Sequence, residues 1–97
     1  MSYRITDRDL KGLCDRLNRV TGSPETPWTR NADGHMSANV GNYHISGAYG
    51  GVCLHQMHDE HGGVTTPLGL GHRPKRQLYD QMRAYLSGFE AAQSAQK

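Results

Sequence analysis

A chain of 97 residues has material for one domain, spanning 1–97 with an ordered core over about 5–92, since a second domain would lack the chain to close a core of its own. Hydrophobic residues at 35%, aromatics at 7% and a mean hydropathy of -0.76 predict a thin core, one small sheet covered on one face by helices, and no apolar run approaches the roughly 20 residues of a membrane span. The net charge of +2 does not imply nucleic acid by itself, but eight of the 11 basic residues are Arg, whose planar fork suits phosphates and bases.

In chain order, residues 6–21 read as a helix. Thr6 and Asp9 have the spacing of a capping box, and Leu10, Leu13, Cys14, Leu17 and Val20 recur on one face. Gly22 ends it, and Pro24 and Pro27 prevent it from resuming. Residues 22–41 read as an irregular connection rich in turn formers, in which Trp28 either plugs the edge of the core or offers a stacking surface. Asn42–Ser46 and Val52–Met57 alternate as two strands, with Gly50-Gly51 between them suiting a hairpin or bulge. In the second strand Val52 and Leu54 share one face, and Cys53, His55 and Met57 the other. Gly62-Gly63 turns the chain into a short third strand over Val64–Thr66, stopped by Pro67. The last helix spans about 74–92, with Pro74 first, Leu78, Met82, Tyr85, Leu86 and Phe89 buried, and the polar end from Ala91 to Lys97 fraying. The fold class is therefore α+β, in the order α-β-β-(β)-α, with two helices packed on one face of a small antiparallel sheet.

Cys14 and Cys53, without a hydrophobic leader at the N-terminus, read as buried thiols of a reducing cytoplasm. The densest polar cluster is His55-Gln56-Met57-His58-Asp59-Glu60-His61. Its spacing matches no zinc motif, because His55 lies on a strand and His58 and His61 in the turn beyond, and it reads as a solvated hairpin tip with no metal and no cofactor. No nucleophile elbow or paired-carboxylate arrangement points to catalysis, so the expectation is a binding protein and not an enzyme.

The stretch from Gly69 to Arg76 carries the chemistry that the patterning does not explain. A glycine-flexible loop runs into a helix start, where free N–H groups attract anions and where His72, Arg73, Lys75 and Arg76 oppose the helix dipole. These four are the expected phosphate-binding residues. Tyr43, His44 and Tyr49, joined by Asn42 and Arg30, are expected against a base or ribose. The expected partner is a small phosphorylated ligand such as a nucleotide, with nucleic acid or a protein partner as the alternatives. A core this lean gains from self-association, so a homodimer is also expected.

The residues Gly41-Asn42-Tyr43-His44, Tyr49-Gly50-Gly51-Val52, Gly62-Gly63-Val64, and Arg76 with Tyr79 make the chain similar, over about residues 10–92, to a group of small bacteriophage accessory proteins. That resemblance implies a protein of the host cytoplasm. It also implies an anti-defence role, such as sequestering a nucleotide immune signal of the host. Separately, the α-β-β-β-α order with Lys75 and Arg76 opening the last helix resembles the double-stranded RNA-binding domain. There the matching cations would straddle phosphates across a groove. The final helix departs from that pattern, since it lacks the lysine- and alanine-rich sequence of those domains.

Overall fold

The computed structural model describes residues 4–95, in the order α1 (Asp7–Thr21), β1 (Trp28–Arg30), β2 (Met36–Ala38), β3 (Tyr43–Ala48), β4 (Gly51–Met57), β5 (Val64–Thr65) and α2 (Lys75–Ala95). This is an α+β fold with two small antiparallel sheets, one of β1 and β2 and one in the order β3-β4-β5.

Local chemistry sets the ends of α1. Thr6 accepts a hydrogen bond from the Asp9 N–H through its hydroxyl, while the Asp9 carboxylate accepts from the Thr6 N–H at 2.8 Å. At the other end Gly22 takes a left-handed conformation (φ 70°), and Ser23 N–H reaches back to the Asn18 carbonyl at 2.8 Å. The last helix begins one residue later than expected, with Pro74 donating no bond but accepting from Leu78 N–H. It continues through Ala95, so the fraying expected from Ala91 onward does not occur as far as that residue, and residues 96 and 97 lie outside the described residues.

The two-residue turn Tyr49-Gly50, both at positive φ (54° and 74°), places Ala48 opposite Gly51 and carries the register down to His44 opposite His55 and Tyr43 opposite Gln56. Alternation then sorts the side chains. Tyr43, Ile45, Val52 and Leu54 join Leu10, Cys14 and Leu17 of α1 and Leu78, Met82 and Leu86 of α2 in one core. Both helices thus lie on the same sheet face, α1 over β3 and α2 over β4.

The segment 22–41, expected to be irregular, contains the β1–β2 hairpin. Its strands of three residues are too short and too exposed to show an alternating pattern. It docks on the far end of the other sheet, with Ala38 N–H donating to the Glu60 carbonyl at 2.9 Å and Gly41 N–H to that of Met57 at 2.9 Å. Trp28 is 40% exposed and leaves the main core alone; its ring lies so close to Gly62 (φ 98°) that a side chain there would sit 2.7 Å from it.

β3 lies at the edge of its sheet. Asn18 of α1, fully buried, supplies what a neighbouring strand would: its amide nitrogen donates to the Tyr43 carbonyl at 3.1 Å and its oxygen accepts from Tyr43 N–H at 2.8 Å. Replacing Asn18 with Leu keeps the volume but strands two buried backbone groups, each worth about 1–3 kcal/mol when left unpaired. Urea denaturation of Asn18→Leu should therefore show a loss of about 2 kcal/mol or more, and an unchanged midpoint would contradict this role.

Candidate functional site

The sheet face turned away from the helices carries His44 and Ser46 from β3 and Cys53 and His55 from β4. His72 joins this face through the backbone pairing of the residue that follows it. Arg73 forms a bridge with Val52, N–H to carbonyl in both directions at 2.8 and 2.9 Å, and turns the preceding residue to the opposite side. Gly51 permits this approach, since a side chain there would lie 3.0 Å from the Arg73 backbone.

The result is two pairs of rings. His44 and His55 meet edge to face with centroids 5.6 Å apart, and Tyr49 meets His72 edge to face at 5.9 Å. Tyr49 is 99% exposed and holds a left-handed backbone, which glycine favours and a tyrosine adopts at a cost of about 1 kcal/mol. The Nε2 atom of His72 is buried and has no hydrogen-bond partner. The sequence-expected residues His44, Tyr49 and His72 therefore do come together. His55, which the sequence places on a strand but not among the expected ligand residues, packs against His44. A signal for it existed, because a two-residue turn at Tyr49-Gly50 counts His55 directly opposite His44.

Burial is the main cause that holds the His44 imidazole below its usual 6.5, with repulsion from His55 second; burial followed by His72 does the same to His55. The tautomer of His44 follows from its neighbour. Asn42 donates through Nδ2 to the Pro24 carbonyl at 2.8 Å, so its Oδ1 can only accept, and His44 Nδ1 at 3.2 Å carries the proton. The Nε2 of neutral His44 is thus a free lone pair that becomes a donor only on protonation.

The remaining expected residues are placed elsewhere. Arg73 turns its guanidinium into its own loop. Its guanidinium donates to the carbonyls of Leu68, Gly69, Leu70 and Gly71 at 2.9–3.2 Å and to Gln81 Oε1 at 2.8 Å. Gly69 and Gly71, at φ 98° and 94°, let the loop curl so that its carbonyls converge, which makes the loop interior a cation site and the reverse of an anion cradle. Lys75 pairs with Asp7 at 3.1 Å, joining the starts of the two helices, while Arg76 is exposed on the first turn of α2. Tyr43 is 4% exposed, its hydroxyl 3.2 Å from that of Tyr85, and burial followed by that hydrogen bond raises its pKa; it is a core residue. Asn42 is fully buried and acts on the rings only through His44. Arg30 belongs to the β1–β2 hairpin, where it donates to the Gly34 carbonyl at 3.3 Å.

His55, His58 and His61 do not converge. The turn beyond β4 is organised instead by Asp59, whose Oδ1 accepts from His61 N–H at 2.9 Å and Gly63 N–H at 3.0 Å, the second of these being the main reason its carboxyl lies below the usual range. Among the described residues no three His, Cys, Asp or Glu side chains are placed to hold a metal ion. Both cysteines are buried free thiols, and burial pushes that of Cys14 up to about 12.

No protein-family model, curated protein or solved structure matches the chain.

The Arg73 arrangement predicts a large effect of a small change. Arg73→Gln removes the charge and most of the donors that gather the loop carbonyls, at about 1.5–3 kcal/mol for a charged hydrogen bond in such a site. Arg73→Lys keeps a point charge without the fork and should recover only part of this. Equilibrium unfolding of the two variants checks the order; equal stability of Arg73→Gln and the parent chain would remove the clamp from the account.

Proposed function

We propose that the protein is a non-enzymatic binder of a small phosphorylated ligand of the nucleotide class, seated on the ring pairs of the outer sheet face. The observation that carries this reading is the gathering on one sheet face of two ring pairs, His44 with His55 and His72 with Tyr49, the second ending in a strained and fully exposed tyrosine. A local conflict of this kind, an aromatic ring held out in water on an unfavourable backbone, is where function is expected. A base stacks on Tyr49, worth about 1–3 kcal/mol. The phosphate meets the imidazoles of His72, His55 and His44, which donate hydrogen bonds once protonated. Within this class a nucleotide immune signal comes first, on the resemblance to the bacteriophage proteins.

The pH dependence follows from the imidazoles. With pKa values held below 6.5, His44 and His55 are mostly neutral at pH 7. A phosphate favours their protonated forms, so binding takes up protons and tightens as pH falls from about 7.5 to about 6.

The test is a thermal-shift series with cyclic dinucleotides, ADP-ribose, ADP and a short RNA duplex, at two salt concentrations and two pH values. One small nucleotide should stabilise the chain, by about 2.7 kcal/mol at one hundred times its Kd. The effect should survive the higher salt and be larger at the lower pH. Tyr49→Ala and His72→Gln should each weaken binding at least tenfold while leaving a cooperative melt. Stabilisation by the duplex alone, lost steeply with salt, would replace this reading with nucleic-acid binding. Binding unaffected by either substitution would place the site elsewhere.

A further inference from the structure

Among the described residues, the two most exposed large apolar side chains stand at one end of the molecule. Leu70 is 87% exposed, and Tyr49 in the β3–β4 turn is more exposed still. Both border His72, since Tyr49 packs on its ring and Leu70 precedes it by two residues. The backbone beneath each is held. Arg73 donates from Nη2 to the carbonyls of Gly69, Leu70 and Gly71, which fixes the chain on both sides of Leu70. The register of β3 with β4 fixes the turn that carries Tyr49. A mobile loop would collapse onto nearby apolar surface; this clamped one keeps Leu70 in water, where its apolar area gains nothing until a partner covers it. The other exposed apolar residues, Trp28, Met36, Val40 and Val64, are about half-covered and lie towards the far end of β4, where Val64 pairs with Met57.

Positive charge gathers at the same end as Leu70. The ion pair of Lys75 with Asp7, at 3.1 Å, holds the starts of the two helices together, and the Val52–Arg73 bridge ties the loop to the first residues of β4. Residues 4–10 and 69–76, which these contacts collect, carry Arg4, Arg8, Arg73, Lys75 and Arg76 against Asp7 and Asp9, a net +3. The whole chain carries +2, so the remainder is net −1. Arg4, Arg8 and Arg76 are exposed.

We propose that this end docks the protein, peripherally and reversibly, on a membrane surface that contains anionic lipid. Leu70 enters among the acyl chains, Tyr49 sits at the headgroup boundary that aromatic rings favour, and Arg4, Arg8 and Arg76 face the headgroup phosphates. A nucleic-acid backbone would satisfy the cations but offers no apolar phase to an aliphatic side chain held out in water. Tyr49 also belongs to the nucleotide site, whereas Leu70, Arg8 and Arg76 do not, so their variants report on lipid alone.

The test is sedimentation of the full chain with vesicles of phosphatidylcholine, or of an equal mixture of phosphatidylcholine and phosphatidylglycerol. The mixed vesicles should bind at least tenfold more tightly than the neutral ones, and should release the protein in about 1 M salt, where the screening length falls to about 3 Å. Leu70→Ser should keep the parent melt, because its side chain is in water, and bind the mixed vesicles about tenfold more weakly. Arg8→Gln combined with Arg76→Gln should weaken binding at least tenfold. Val40→Ser, an exposed apolar position at the far end, should bind as the parent does. Fluorescence reads the orientation: the indole added by Leu70→Trp should shift blue on mixed vesicles and be quenched by brominated acyl chains. Trp28, the only tryptophan of the parent chain, should keep its spectrum. The proposal is overturned if neutral and mixed vesicles bind equally, if Leu70→Ser binds the mixed vesicles as the parent does, or if Trp28 shifts and the added indole does not. Binding of a short RNA duplex through Arg8 and Arg76, with no binding of vesicles, would replace it with nucleic-acid docking.

Discussion

The guanidinium of Arg73, gathered by four backbone carbonyls and Gln81, is the contact on which the outer sheet face depends. Residues 66–72 have no regular structure, and their carbonyls would otherwise have to be met by water. Closing them around one planar cation fixes the loop against α2. It also lets the Arg73 backbone pair with Val52, which closes the free edge at the start of β4. His72 is carried onto the outer sheet face as a consequence, where it meets Tyr49. A residue that reads as a ligand-binding cation in isolation thus does its work by ordering the chain on either side of it.

The other constraint is the mismatch between two helices and a narrow sheet. A core of Leu, Met and Val closes the centre. Asn18 compensates at the edge of β3 by imitating a strand. The two faces of the β3–β4 hairpin therefore differ in kind, one presenting polar rings and the other closing the core. Period-two alternation generates both from a single pair of strands.

Legibility in the sequence followed the strength of local signals. The capping box and apolar stripe of α1 and the opposite faces of Val52 and Cys53 are visible in the residue order, because each depends on near neighbours. The β1–β2 hairpin is not visible: its three-residue strands bury only Ala38, so no periodicity marks them. At the site, His44 and Tyr49 stood out as polar rings in a glycine-rich region, and His72 as one of the four residues expected to meet phosphate. The engagement of Arg73 was not legible, because three cations at a helix start imply an anion and nothing local reveals that the preceding loop aims its carbonyls inward. Tyr43 and Asn42 looked like ligand residues, yet their burial is set by Tyr85 and Pro24, 42 and 18 residues away in the chain.

The most direct measurement is an NMR titration of the imidazoles of His44, His55 and His72 in the full chain, alone and in saturating ADP. The account predicts that His44 and His55 titrate below 6.5 in the free protein, and that both move upward with the nucleotide bound as its phosphates stabilise the charged rings. Imidazoles that titrate at ordinary values and do not respond while ADP binds would contradict a ligand site on this face.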